Sequence, residues 1–259
     1  MIDLVSSGRD GHGHFPGKSC VNSKKAPMVS IITVVLNGAH CLEKSMKSVE
    51  ALSYDNIEYI VIDGASSDGT MDIIRKNESF VDYWVSEPDR GVYDAMNKAI
   101  RASHGDYILF LGADDYLYDV IHEVVNEFDD EMMSYYGNVI LSGNEKRYGG
   151  RFYPLKLFLK NIPHQAIFYS RYVFDDYKYE CKYSALADYA LNLKVFSDEK
   201  YGLSYIPRTV AYYNNENGLS SVVIDHKFAM DKPGVIKKHY SRFYYIVYML
   251  IRLVFKGRR

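Results

Sequence analysis

Two adjacent carboxylates, Asp114 and Asp115, stand just past the tip of the apolar run Tyr107-Ile108-Leu109-Phe110-Leu111. Side-by-side anions repel and gain little from partial burial, so a divalent cation flanked by phosphate oxygens is a natural reason to hold them together. An Asp-rich turn closing a strand is the competing explanation, and the pair alone does not separate the two. Other acids fall at comparable places: Asp63 ends Ile57-Glu58-Tyr59-Ile60-Val61-Ile62, while Glu87 and Asp89 follow Tyr83-Trp84-Val85-Ser86. Asp188 lies near the start of a helix expected over 185–193. The helix dipole favours an ionised carboxylate there, which suits either a general base or a capping residue.

The elements that must deliver these groups show in the apolar pattern. Met28 opens onto Val29-Ser30-Ile31-Ile32-Thr33-Val34-Val35-Leu36, a continuous run typical of a strand covered on both faces. Leu42, Met46 and Val49 at helical spacing predict a helix over 40–51. Strands are expected at 57–63, 83–86 and 107–111, with helices starting near Ser67 and spanning 92–103. This alternation predicts right-handed crossovers and an α/β, doubly wound sheet. Ligands of such sheets bind beyond the carboxyl ends of the strands, which gathers Asp63, Glu87, Asp89, Asp114 and Asp115 along one rim. Past Tyr116 the alternation weakens to a helix over 118–128, a strand over 134–139, an irregular stretch over 143–150 and a strand over 164–169 entered through His164 and Gln165.

Bulk charge argues against a nucleic-acid partner, because 31 basic and 33 acidic residues leave a net charge of -2. Three scattered cysteines without a CxxC pair suggest neither a disulfide framework nor a zinc knuckle, which fits a reducing, cytoplasmic setting. The 25 tyrosines offer either stacking surfaces for sugars and bases or ordinary packing. Residues 1–27 are glycine-rich with little apolar periodicity and read as a disordered leader.

Four segments in order resemble the inverting family 2 glycosyltransferases of GT-A fold. They are Val29-Ser30-Ile31-Ile32-Thr33 with Asn37, then Val61-Ile62-Asp63-Gly64-Ala65-Ser66-Ser67-Asp68-Gly69-Thr70, then residues 86–98 from Ser86 to Lys98, then Gly112-Ala113-Asp114-Asp115. The resemblance covers about residues 28–215. It implies a Rossmann-like, mostly parallel sheet flanked by helices, with a nucleotide-sugar-binding half at 28–116 and an acceptor-binding, catalytic half at 117–225. It also implies transfer of a sugar from a nucleotide sugar, a UDP-sugar being the commonest in similar enzymes, to a hydroxyl. The implied donor contacts are Thr33, Val35, Asn37, Asp63 at the nucleotide base, Arg90, Asp94, Lys98, Ala113, Asp114 and His164. Asp114 and Asp115 would hold Mn2+ or Mg2+ beneath the diphosphate, and Asp188 would be the base. Gly112 departs from the pattern, standing where relatives carry the first Asp of Asp-x-Asp.

The C-terminal residues 226–259 read as a basic amphipathic helix. Between Arg242 and Arg252 lie only nine apolar residues, short of the ~20 that span a bilayer. Basic flanks around apolar filling suit a helix lying on an anionic inner membrane, and packing on the domain or a homodimer face is the alternative. A peripheral membrane position implies a polyprenyl-diphosphate-linked glycan as acceptor, as in bacterial O-antigen, capsule or exopolysaccharide assembly. Two other readings compete. A non-catalytic nucleotide- or carbohydrate-binding module would not need Asp188. A sugar nucleotidyltransferase would need a glycine-rich basic loop after the first strand, and Leu36-Asn37-Gly38-Ala39-His40 is not one.

Overall fold

The computed structural model describes residues 10–13, 26–216, 218 and 223–256. Its strands are β1 (Asp10–Gly13), β2 (Val29–Val35), β3 (Ile57–Asp63), β4 (Tyr83–Ser86), β5 (Tyr107–Gly112), β6 (Tyr116–Leu117), β7 (Ser134–Leu141), β8 (Arg147–Tyr148), β9 (Ile167–Ser170) and β10 (Leu203–Tyr213). They form one sheet in the order β1-β4-β3-β2-β5-β9-β7-β10-β6, with β8 paired to β7. The long ladders β4-β3-β2-β5 and β7-β10 are parallel, whereas β9 enters antiparallel between β5 and β7. Six strands therefore run the same way, and their carboxyl ends share one rim.

Alternation across each strand builds two cores. Ile32, Ile60, Ile62, Ile108 and Phe110 meet Met96 and Ala99 of α3 (Val92–Ala102) and Leu191 of α7 (Ala187–Ser197). Ile31, Val61, Leu109 and Leu111 meet Leu42 and Met46 of α1 (Leu42–Glu50) and Ile74 of α2 (Thr70–Lys76). Each such Val, Leu, Ile, Phe or Met side chain contributes roughly 1.5–3 kcal/mol through burial. The largest fully buried side chains include Tyr59, Tyr135, Tyr136 and Tyr169, so much of the tyrosine content is packing.

Several expectations change. The 118–128 helix is only α4 (Ile121–Val125), and the 143–150 stretch contains β8. The 164–169 strand divides into a 3-10 turn, His164–Ala166, and β9, a break that turns both His164 and Gln165 toward the carboxyl rim. Within the expected leader, Asp10–Gly13 pairs antiparallel with β4; residues 1–9 and 14–25 lie outside the described residues. The single C-terminal helix is two, α8 (His226–His239) and α9 (Arg242–Lys256). Tyr240 separates them in an extended conformation, its hydroxyl donating to Leu193 O at 2.8 Å and its ring lying edge-on to Phe158 of α5 (Pro154–Leu159). The short α6 (Val173–Asp176) completes the α-helices among the described residues.

Where α8 packs on α7, Lys232 Nζ donates to the Tyr189 hydroxyl at 2.9 Å and lies 4.0 Å above that ring. Burial pushes its ammonium down to about 7. The unfolded chain therefore binds the extra proton between about pH 7 and pH 10.5, and stability rises with pH through that window. Lys232→Met is expected to raise the melting temperature at neutral pH by roughly 3 °C, corresponding to ~1 kcal/mol in a domain of this size. It should also flatten the rise toward alkaline pH. Melting curves with the wild-type slope in the variant would locate the titration elsewhere.

Candidate functional site

A cavity of about 860 Å³ opens at the carboxyl rim. Its wall is made by the ends of β2 and β5, the His164–Ala166 turn, the head of α7, and Asn214 and Asn215 after β10. Asp115 is buried there, its Oδ1 accepting the Asn214 backbone N–H at 2.7 Å and its Oδ2 accepting from Gln165 Nε2 at 2.7 Å. Asp114 Oδ2 accepts from Asn214 Nδ2 at 3.0 Å. Burial first, then the charge of Asp114, pushes Asp115 up to about 6. Cys41 also lines the cavity, and burial together with the charges of Asp114, Asp115 and Asp68 pushes its thiol up to about 11, which makes it a poor nucleophile.

Gly112 is what lets Asp115 take this pose, since a Cβ built at Gly112 would overlap Asp115 Oδ2. Gly112→Ala should therefore swing Asp115 off Gln165. A loss of ~1–3 kcal/mol is expected in denaturant unfolding, and an unchanged midpoint would mean that the carboxylate reorients without cost.

Asp188, which lines the same cavity, is held in the first turn of α7. Its Oδ1 accepts from the Tyr93 hydroxyl at 3.0 Å, its Oδ2 accepts from Asn161 Nδ2 at 2.7 Å, and His164 Nδ1 lies 3.5 Å from Oδ2. Asn161 is itself anchored, its Oδ1 accepting from Asn192 Nδ2 at 2.9 Å. Neighbours on one short turn thus reach the two acidic centres, His164 toward Asp188 and Gln165 toward Asp115.

Asp63 is fully buried at the end of β3. Its Oδ2 accepts from the Ser66 N–H at 3.0 Å and the Ser86 hydroxyl at 2.6 Å, while Oδ1 has no partner among the described residues. Asn37, with φ +53°, ties two loops together: its N–H donates to Ser66 Oγ at 2.7 Å and its Oδ1 accepts the Ser67 N–H at 2.9 Å. Asn readily tolerates that left-handed backbone.

Residues 30–177 match the family model described as glycosyl transferase family 2. The chain belongs to this family. A "PGL/p-HBAD biosynthesis glycosyltransferase" of Mycobacterium bovis is 36% identical over 220 residues, covering 80% of this chain and 85% of the relative. Among solved structures, Staphylococcus aureus TarS 1–349 in complex with UDP-GlcNAc superposes with a TM-score of 0.62 at 16% identity, over 80% of this chain and 65% of that one. The mannosyltransferase PcManGT from Pyrobaculum calidifontis, in complex with GDP-Man and Mn2+, gives 0.59 at 19% identity, over 83% and 64%. These two likenesses establish the GT-A fold.

In this family 2 glycosyltransferase, Val35, Asn37, Ala113, Asp114, Asp115, His164 and Asp188 all line the cavity. Thr33, Asp63, Arg90, Asp94 and Lys98 do not. Thr33 is a core residue, its Oγ1 accepting from the Tyr59 hydroxyl at 3.2 Å. The Arg90 side chain is 85% exposed and pairs with Asp94 at 3.1 Å. Lys98 Nζ is 2.9 Å from Glu87 and 2.5 Å from Asp89, the acids after β4. Asn161 and Asn214 line the cavity outside the motifs, and Tyr93 lies within the third motif but was assigned no role. Asn214 left one signal, since it directly follows a strand ending on the same rim as Asp114.

The oxygen donors fit a small divalent ion. No group of three or more ligating side chains occurs among the described residues, and Asp114 Oδ1 accepts no hydrogen bond there. Two carboxylates would leave the remaining coordination to diphosphate oxygens and water, as Mg2+ and Mn2+ commonly accept.

Proposed function

We propose that this glycosyltransferase moves a sugar, with inversion, from a nucleotide sugar to a hydroxyl of a lipid-linked glycan in bacterial surface polysaccharide assembly. The observation that carries the reading is Asp188, clamped by Tyr93 and Asn161 and facing the same cavity as Asp114. A carboxylate so placed takes the acceptor proton while the acceptor oxygen attacks the anomeric carbon from the face opposite the leaving group. Asp114 and Asp115 would hold Mn2+ or Mg2+, which when bound stabilises negative charge on the departing diphosphate. The resemblance puts the nucleotide base at Asp63, whose Oδ1 could accept a base N–H; because Asp63 is fully buried and outside the cavity wall, that contact requires the loop after β3 to shift.

A UDP-sugar is the favoured donor, in keeping with the UDP-GlcNAc complex of TarS, and a polyprenyl-diphosphate-linked glycan is the acceptor. No helix among the described residues is long and apolar enough to cross a membrane. On this reading the enzyme meets such an acceptor from the cytoplasmic side, peripheral on the inner membrane.

The test is a melting-temperature panel of UDP, GDP, dTDP and CMP, each with and without Mn2+, because a ligand that binds the native state stabilises it. UDP is expected to raise the melting temperature only with metal, and the product glycoside to show the opposite anomeric configuration by NMR. Silence to every nucleotide, or a retained configuration, would overturn the reading.

A further inference from the structure

We infer that the outward face of α9 and the adjoining end of α5 form a docking surface for an anionic lipid bilayer, placed beside the acceptor end of the cavity. The inference rests on the lipid-linked acceptor proposed above and assigns the face that meets the lipid.

The packing of α9 is two-sided. Tyr244 and Tyr248 lie edge-on to Phe158 of α5, with ring centroids 6.2 Å and 5.6 Å away. On the other side Phe243, Ile246, Leu250, Leu253 and Val254 are 48% to 67% exposed. Their spacing of 3, 4, 3 and 1 residues confines them to an arc about 100° wide on a helix of 3.6 residues per turn. A helix packed on a core by one face ordinarily turns charged and polar residues outward. A contiguous apolar stripe in that place marks an interaction surface. Tyr153 and Leu159, at the two ends of α5, are exposed as well.

Charge selects the occupant. Residues 146–164 contain five Lys and Arg and no Asp or Glu, and residues 234–259 contain seven and again no acid. These two segments carry twelve of the 31 basic residues in a chain whose net charge is -2, and the described parts of the two meet where α9 packs on α5. A symmetric dimer through the stripe would set this basic patch against itself, since a two-fold interface is self-complementary. An anionic bilayer instead satisfies the apolar stripe and its basic border together. One face of α9 is packed on α5 through Tyr244 and Tyr248, so the helix offers only its other face to lipid and lies in the interface plane.

The position of α5 ties the surface to the chemistry. Two residues after exposed Leu159, Asn161 donates to Asp188, and Pro163 and His164 continue into the cavity wall. Docking by this face therefore presents the base-bearing end of the cavity to an acceptor whose lipid stays in the membrane.

Sedimentation with vesicles tests this without any sugar substrate, so its failure is separable from failure of the transferase reading, which the nucleotide panel decides. The wild type should bind vesicles of equal parts phosphatidylglycerol and phosphatidylcholine, release with added salt, and bind pure phosphatidylcholine at least about tenfold more weakly. Ile246→Asp with Leu250→Asp should abolish binding. Arg151→Gln with Lys160→Gln, both at exposed positions, should weaken it roughly tenfold or more with the melting temperature unchanged. Wild-type protein that ignores anionic vesicles, or variants that bind like wild type, would overturn the proposal. A dimer in ultracentrifugation that the Ile246/Leu250 variant dissolves would give the stripe to a second copy and overturn it equally.

Discussion

Asp188→Asn is expected to lower kcat by about 10³-fold, within the range that a general base contributes. Asn keeps the size of the side chain and one acceptor oxygen, so either the Tyr93 hydroxyl or Asn161 Nδ2 keeps its partner. The amide nitrogen cannot take a proton from the acceptor. Donor affinity should stay within about twofold, since a group acting only on the acceptor proton leaves ground-state donor binding alone. Initial rates at saturating donor, with nucleotide melting shifts as the binding control, check both parts. A rate within tenfold of wild type would remove Asp188 from the role of base. A parallel loss of donor binding would instead point to collapse of the clamp made by Tyr93 and Asn161.

The second large effect is expected at Asp114. Asp114→Ala should reduce kcat/KM by about 10² to 10³-fold, the usual consequence of deleting an electrostatic stabiliser of a developing anion. The variant should also lose the Mn2+ dependence of its melting shift with nucleotide. Asp115 makes the informative contrast because its two oxygens already hold Gln165 and the Asn214 backbone. Asp115→Asn should therefore lower stability more than Asp114→Ala does, by ~1–3 kcal/mol, as a buried charge-assisted bond is lost. Equal metal responses in wild type and Asp114→Ala, followed by titrating Mn2+ against the nucleotide complex, would refute the metal assignment.

Much of residues 28–116 could be read along the chain because its signals are local. Val29–Val35 is a central strand, buried at nearly every position as its unbroken apolar run implied. The alternation of strands with helices placed Asp114 and Asp115 on the carboxyl rim, and helical spacing put Asp188 in the first turn of α7. The chain beyond residue 116 was less legible. One strand expected from His164 onward begins as a 3-10 turn, and one C-terminal helix is divided at Tyr240, because long-range partners decide both places.

Residue types, periods of two and 3.6, and the order of the motifs were enough to determine the sheet and its family, and which rim bears the acids. Only the tertiary structure decided what those acids touch. Gln165 reaches Asp115 across 50 positions, Tyr93 reaches Asp188 across 95, and Asn214 reaches Asp115 across 99. It likewise moved Thr33 into the core and gave Lys98 to Glu87 and Asp89. Local periodicity states which face a side chain takes, but its partner depends on which strand the topology sets beside it and on which buried polar groups still lack a hydrogen bond.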